Sequence, residues 1–169
     1  MSTKRLFFAL WPDHRQRDRM RDFITPVAKE VEGRAVDRRN WHVTLAFIGS
    51  FEEQLIPSLQ AAAAEVEFQP FRLRFDRVEF WPRPKVASLV AAIVPPELQR
   101  LVDVQNSLLA DFGVAVEDRA YRPHITVVRR ARPFETQRLA QPAVVEWSGF
   151  ELVESIPQPG GATYRPLKQ

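Results

Sequence analysis

Apolar and polar residues alternate along the chain with two different periods, and these periods occur in the same order twice. Apolar runs ended by proline or glycine predict strands, whereas apolar residues three or four positions apart predict helices that bury one face. In the first half, the predicted elements are a strand at 6–11, a helix at about 13–31, a strand at 41–49, a helix at about 52–66 and strands at 71–75 and 78–81.

The second half repeats this order. Pro12 and Pro95, which each end an apolar strand, are separated by nearly the same distance along the chain as His42 and His124. A duplicated lobe explains both spacings. The predicted elements of this half are a strand at 86–94, a helix at about 97–112, a strand at 123–128, a short helix near Phe134 to Leu139 and strands within 144–153. We therefore predict an α+β fold in which a single domain, 1–169, contains two pseudo-symmetric lobes built mainly from about 1–82 and 83–169.

Length and composition narrow the class of protein. A chain of 169 residues with 45% hydrophobic content can form one compact domain. No apolar run approaches the roughly 18 residues of a membrane-spanning helix, and Met1 to Trp11 is typical of a first strand rather than a signal peptide. The absence of cysteine excludes disulfides, thiolate metal ligands and a cysteine nucleophile. We expect a cytoplasmic protein, and nothing in the sequence indicates an obligate oligomer, so we expect a monomer.

The charge balance adds a weak indication of phosphate binding. The net charge is only +3, but arginine greatly outnumbers lysine. The planar guanidinium fork matches phosphate oxygens better than an ammonium point charge does. A GC-rich genome, which favours arginine codons, is an equally good explanation, so charge alone does not identify a nucleic-acid ligand.

The strongest functional signal is a pair of H-x-T motifs, His42-Val43-Thr44 and His124-Ile125-Thr126, each on a predicted strand. Because side chains on a strand alternate between faces, each histidine shares a face with its threonine. If pseudo-symmetry brings the strands together, two imidazoles and two hydroxyls face each other. One histidine can then remove a proton from water while the other donates a proton to a leaving oxygen, and the hydroxyls can stabilise a phosphate.

A structural role is the usual explanation for a single histidine on a strand, but two matching motifs in a chain with three histidines favour catalysis. The third histidine, His14, opens a predicted helix and is expected to be solvated. A metal site is a poor alternative, because two histidines supply only two ligands and threonine is a poor ligand for zinc. The sequence therefore predicts metal-free acid–base chemistry on a phosphodiester.

Residues that flank the motifs are candidates for substrate binding. Arg39 and Arg122 precede the motifs, and strict strand alternation would put Arg130, rather than Arg129, on the catalytic face. A bulge or the end of the strand would reverse that assignment. The candidate aromatic residues for stacking on bases are Trp41, Phe47, Trp81 and Tyr121.

The sequence resembles the two-histidine phosphoesterases, and specifically the RNA 2',3'-cyclic phosphodiesterase family, also called the 2'-5' RNA ligase family. The resemblance spans nearly the whole chain. It includes the opening segment 5–10, the runs 41–49 and 121–126, and the ending 152–155 with Gly161 and Tyr164. Both motifs are intact.

This resemblance implies a bilobal fold with an antiparallel sheet and helices in each lobe around a water-filled cleft. It also implies hydrolysis of an RNA terminal 2',3'-cyclic phosphate to a 2'-phosphate, without a metal or a nucleotide cofactor. In that scheme His42 is the proton donor, His124 is the proton acceptor, and Thr44 and Thr126 hold the phosphate. Either direction of the reaction is compatible with such a site, and 2'-5' ligation is the reverse.

Two alternatives remain open at this stage. An enzyme of the same fold can act on a small nucleotide, such as an ADP-ribose cyclic phosphate or a 2'-5' oligoadenylate. A non-catalytic RNA-binding module can use an arginine-rich cleft with aromatic side chains, and its binding is expected to be sensitive to salt.

Overall fold

The computed structural model describes residues 2–168. The strands are β1 (Thr3–Leu10), β2 (Arg34–Ala35), β3 (Val43–Glu52), β4 (Phe71–Trp81), β5 (Val86–Val90), β6 (His124–Arg129), β7 (Gln137–Trp147), β8 (Glu151–Gln158) and β9 (Gly161–Pro166). The helices are α1 (His14–Lys29), α2 (Ile56–Ala64) and α3 (Pro96–Asp111), and short 3-10 turns span Arg38–Asn40 and Glu53–Leu55. None of the helices within residues 2–168 is long and apolar enough to span a membrane.

The strands form two antiparallel sheets, which define the two lobes. One sheet has the order β3-β1-β8-β9, and the other has the order β2-β6-β5-β4-β7. Apart from the two-residue strand β2, the orders correspond, with β3 equivalent to β6 and β1 equivalent to β5. The predicted α+β fold with two related lobes is confirmed.

The division of the chain between the lobes differs from the prediction of two contiguous halves. The strands β8 and β9, from the end of the chain, pair beside β1, whereas β2 and β4, from the first half, join the other sheet. Local periodicity identifies strands but contains no information on which distant strand each one pairs with. The repeated order of elements is therefore real, although the lobes exchange strands.

The helices cover the core faces of the sheets. Helix α1 begins at the capping box formed by Asp13 and Gln16, and it packs on β6 and β7, which belong to the opposite lobe from the strand that precedes it. Helix α3 begins after Pro95 and packs on β3. Because each helix lies on the sheet that does not contain the strand before it, burial of their apolar faces joins the two lobes.

One predicted element is wrong. The short helix expected near Phe134 to Leu139 is replaced by the start of β7, in which Gln137 and Arg138 pair with Val78 and Arg77 of β4. A free strand edge on β4 gives this segment backbone partners along its length, and that pairing outweighs its local preference for helix.

Candidate active site

The two H-x-T motifs lie at equivalent positions in the two sheets. His42 immediately precedes β3 and His124 is the first residue of β6. Strand β3 is the edge of its sheet, and β6 pairs with β5 on one side and only with the short β2 on the other. The edges meet, because the hydroxyl of Tyr121, just before β6, donates a hydrogen bond to the backbone oxygen of Thr44 at 2.8 Å. The predicted meeting of the two motif strands is thus present in the structure.

Each imidazole is fixed by an equivalent hydrogen bond to the backbone oxygen of the residue two positions before it. His42 Nδ1 lies 2.7 Å from the backbone oxygen of Asn40, and His124 Nδ1 lies 2.9 Å from that of Arg122. A carbonyl oxygen only accepts, so Nδ1 carries the proton in both rings, and Nε2 is the nitrogen left for chemistry. His42 Nε2 lies 3.1 Å from the Thr44 hydroxyl, as expected for two side chains on one strand face.

Aromatic rings surround His42. The Phe7 and Tyr164 ring centroids each lie 5.0 Å from the imidazole centroid, and the Trp11 ring stacks on it at 5.7 Å. Phe7, Trp11 and Tyr164 belong to a small apolar cluster that is separate from the main core. These rings cover part of the imidazole and reduce its contact with water.

Burial and nearby charges set the protonation of both histidines. Burial lowers the pKa of His42 from 6.5 to about 4, an effect that the Asn40 carbonyl opposes and that positive charges on His124 and Arg129 strengthen. The pKa of His124 is also lowered, chiefly by burial, while Glu79 acts to raise it. The influence of His124 on His42 shows that the two imidazoles share one electrostatic site.

A β-bulge directly follows each motif. In β6, Thr126 pairs with Ser88 and Val128 pairs with Ala87, so Val127 is the extra residue. In β3, Thr44 pairs with Ala9 and Ala46 pairs with Phe8, which leaves Leu45 as the extra residue. The bulges reverse the alternation that the sequence alone predicts beyond each threonine.

The bulge in β6 places Arg129, and not Arg130, on the catalytic face. Arg129 pairs with Val86 on β5, and Thr126 pairs with Ser88 on the same strand. Because Val86 and Ser88 are two residues apart, they lie on one face of the sheet, and Arg129 therefore shares the face of Thr126. Its guanidinium donates a hydrogen bond to the Tyr164 hydroxyl at 3.0 Å, on the other sheet. Arg130 follows the strand with a left-handed φ of 51° and borders a different hollow, so the structure does not place it with the motifs.

A cavity of about 560 Å³ adjoins the motifs and contains several of the predicted binding residues. Its walls include Thr44 and His124, and the side chain of Phe47 is 53% exposed beside them. The predicted residues Tyr121 and Arg122 also line this cavity, together with Trp81 from β4. Its volume lies within the range typical of small-ligand sites.

Two other predicted binding residues lie elsewhere. Trp41 is buried in the main core with only 5% of its surface exposed, so it offers no face to a base. Arg39 lies in the 3-10 turn before β3, is ion-paired with Asp37 and does not line the cavity. Arg122 lines the cavity but is ion-paired with Glu79 at 2.8 Å, so its charge is already compensated.

Sequence reasoning did not single out two contributors to the site, Trp11 and Glu79. Trp11 ends the predicted strand 6–11 and lies two positions after Ala9, which pairs with Thr44, so strand alternation could have placed it on the face of the motif. The contact of Glu79 with Arg122 depends on strand pairing, and the placement of Arg129 depends on a bulge, and the sequence has no local signal for either. Within residues 2–168, no three His, Asp or Glu side chains gather as a metal-binding group would.

Known proteins share this architecture. Residues 10–91 match the family model described as LigT like Phosphoesterase. The chain is 32% identical to the RNA 2',3'-cyclic phosphodiesterase of Archaeoglobus fulgidus over 97% of this chain and 98% of that protein. It is 29% identical to the protein of the same name from Escherichia coli, over 98% of this chain and 95% of the relative.

The solved structures agree with the sequence relatives. The crystal structure of Escherichia coli LigT complexed with 3'-AMP superposes with a TM-score of 0.84 and 27% identity, covering 99% of this chain and 97% of that one. The chain belongs to the LigT-like phosphoesterase family.

Proposed function

We propose that this protein hydrolyses the 2',3'-cyclic phosphate at the end of an RNA strand to a 2'-phosphate, without a metal or cofactor. As a member of its family, the chain is a hydrolase of cyclic phosphodiesters. The shared name of its relatives, RNA 2',3'-cyclic phosphodiesterase, supports RNA as the substrate. One observation carries the proposal: both motif imidazoles have Nδ1 tied to a backbone carbonyl, which leaves two Nε2 atoms for acid–base work in one site.

In the proposed reaction, His124 Nε2 accepts a proton from the attacking water as the new P–O bond forms. The bond from phosphorus to the 3' oxygen breaks, and protonated His42 donates its Nε2 proton to that oxygen. The products are a 3'-hydroxyl and a 2'-phosphate. Hydroxyls of Thr44 and Thr126 donate hydrogen bonds to the non-bridging oxygens, and the charge of Arg129 stabilises the developing negative charge.

The division of labour between the histidines rests on the family resemblance, and the charges near His42 in the free protein oppose it. Arg129 disfavours a proton on His42, whereas at His124 the effects of Arg122 and Glu79 oppose each other. The bound phosphate supplies a negative charge that raises the pKa of both imidazoles, and the stacked face of Trp11 stabilises an imidazolium at His42. The roles therefore need a test that distinguishes acid from base.

Such a test uses a cyclic substrate with sulfur in place of the 3' oxygen, because a thiolate leaves without protonation. His42→Ala should regain much of its lost rate on this substrate, and His124→Ala should not. The opposite result would exchange the two roles. Rescue of neither variant, despite correct folding, would contradict the assignment of His42 as the acid.

The function itself is tested with purified protein, a chelator and an oligonucleotide that ends in a 2',3'-cyclic phosphate. We expect the 2'-phosphate product, and a rate lowered about 10²–10⁴-fold in His42→Ala and in His124→Ala. Absence of product, or inhibition by the chelator, would contradict the metal-free mechanism. RNA binding that survives both substitutions in a protein without turnover would instead identify a binding module.

The same site can join RNA ends when a 5'-hydroxyl, in place of water, attacks the cyclic phosphate: the bond from the 5' oxygen to phosphorus forms as the bond to the 3' oxygen breaks, which gives a 2'-5' linkage and a 3'-hydroxyl. Water greatly exceeds RNA ends in dilute solution and hydrolyses both the cyclic phosphate and the 2'-5' linkage, so we expect ligated product only at high concentrations of RNA ends. A mixture of the two labelled strands, sampled until the product ratio is constant, measures the balance.

A further inference from the structure

Glu79 connects two side chains that line the cavity. It lies on β4 two residues before Trp81, so the two side chains share one face of the strand. Its Oε1 accepts hydrogen bonds from Trp81 Nε1 at 3.0 Å and from Arg122 Nη2 at 2.8 Å, and its Oε2 accepts from the same Nη2 at 3.0 Å. A single carboxylate therefore fixes both an indole ring and a guanidinium.

Both partners of Glu79 contact His124. The ring centroids of Trp81 and His124 lie 4.2 Å apart. The backbone oxygen of Arg122 accepts the Nδ1 hydrogen bond of His124 at 2.9 Å, and the Arg122 guanidinium lies over the Trp81 ring at 5.4 Å. Glu79 thus holds the two groups that set the position and the tautomer of the imidazole.

The carboxylate also changes the charge around His124. Arg122 lowers the pKa of His124, and Glu79 opposes it. Hydrogen bonds from Arg122 and Trp81 lower the pKa of Glu79 against the effect of burial, so the carboxylate is ionised near neutral pH. Without the Glu79 charge, the effect of Arg122 on the pKa of His124 would no longer be offset. His42 is the other titratable group in the site.

In the lobe of His42, no carboxylate among the described residues forms hydrogen bonds to both a tryptophan and an arginine in this way, although the charge of Asp13 acts on Arg17. There, the Arg17 guanidinium lies 5.7 Å from the Trp11 ring centroid, and that ring stacks on His42, which repeats the order of arginine, tryptophan and histidine. Among the described residues, none of the groups that shift the pKa of His42 is acidic. Glu79 is therefore a feature that distinguishes the two otherwise similar halves of the site.

We propose that Glu79 is a positioning residue for His124, which it orients through Trp81 and the Arg122 segment while offsetting the Arg122 charge. The proposal rests on the function proposed above, in which His124 takes the proton from water. It also gives Arg122 a structural role, as the partner of Glu79, in place of direct phosphate binding.

The test compares Glu79→Gln with Glu79→Ala. Alanine removes the charge and the hydrogen bonds to Trp81 and Arg122, so kcat for the cyclic-phosphate oligonucleotide should fall about 10–100-fold, with a smaller change in KM. Glutamine keeps an acceptor oxygen and should recover much of kcat. In both variants, NMR titration should report a lower pKa for His124, because Arg122 is then unopposed.

Glu154→Gln is the matched control. Glu154 forms a 2.8 Å ion pair with Arg165 and its side chain is 13% exposed, against 2.8 Å and 16% for Glu79 with Arg122. The Glu154→Gln variant should leave kcat and the pKa of His124 unchanged. Thermal unfolding of each variant checks that it is folded.

Wild-type kcat together with a wild-type His124 titration in Glu79→Ala would overturn the proposal. A lowered kcat that Glu79→Gln does not recover, with an unchanged titration, would also overturn it, because it would show a structural effect only. If the wild-type protein has no turnover, the proposed function fails, whereas the His124 titration and the Trp81 indole N–H resonance still test the role of Glu79.

Discussion

Phe47 and Arg129 occupy equivalent positions in the two lobes, each three residues after the threonine of an H-x-T motif. Phe47 pairs with Phe7 on β1, and Arg129 pairs with Val86 on β5. Two residues three positions apart normally lie on opposite faces of a strand. The extra residue of the bulge after each threonine reverses this, so Phe47 and Arg129 lie on the same face as the threonines. One lobe therefore presents an aromatic ring, and the other presents a cation, on the face of the motif histidines.

The first prediction concerns the cation. Arg129→Gln should reduce kcat/KM about 10–100-fold, because it removes a charge beside the transferring phosphate. It should also raise the pKa of His42, which the Arg129 charge lowers. Arg130→Gln is the adjacent control, and steady-state kinetics on one cyclic-phosphate oligonucleotide compare them. A larger loss in Arg130→Gln would contradict the bulged register of β6.

The aromatic ring gives a second prediction. Phe47→Ala should raise KM about 10-fold with little change in kcat, because a base stacked on an aromatic ring contributes about 1–3 kcal/mol to binding. Ile93→Ala, which truncates an apolar side chain 72% exposed outside the cavity, should leave KM unchanged. An unchanged KM in Phe47→Ala would exclude this ring from nucleotide binding.

The sequence contains enough information to predict the strands and the pairing of the motifs, but not the details around them. Periodicity identifies β3 and β6, and alternation correctly places each histidine with its threonine. Alternation fails one residue later, because a bulge depends on how a neighbouring strand pairs. The pairing of distant strands also explains why Arg130 was placed on the wrong face and why Glu79 was omitted, because Glu79 and Arg122 are far apart in the sequence and come together only in the folded protein. Trp41 was misjudged for another reason, since a tryptophan beside a motif is equally suited to the core.

A contact between the lobes provides a third prediction. The Tyr121 hydroxyl donates to the Thr44 backbone oxygen at 2.8 Å and is largely buried, which raises the pKa of the phenol. Tyr121→Phe should lower the free energy of unfolding by about 1–2 kcal/mol, because the carbonyl loses its partner while the ring remains. It should also lower kcat, since the bond joins the two motif strands. Denaturant unfolding and kinetics measure both, and wild-type values for both would show that this bond does not hold the lobes together.

The burial of His42 predicts how stability depends on pH. Its pKa is about 4 in the folded protein, against 6.5 when exposed, so the unfolded chain binds the proton more tightly. The free energy of unfolding should therefore be highest above pH 6.5 and fall as the pH drops towards 4, by up to about 3 kcal/mol from this residue. His42→Asn should reduce that slope, whereas His14→Asn, at an exposed position on α1, should retain it. Denaturant unfolding at pH 7.5 and pH 4.5 measures the difference. An unchanged slope in His42→Asn would mean that the imidazole is solvated in the free protein, and that the aromatic rings around it do not exclude water.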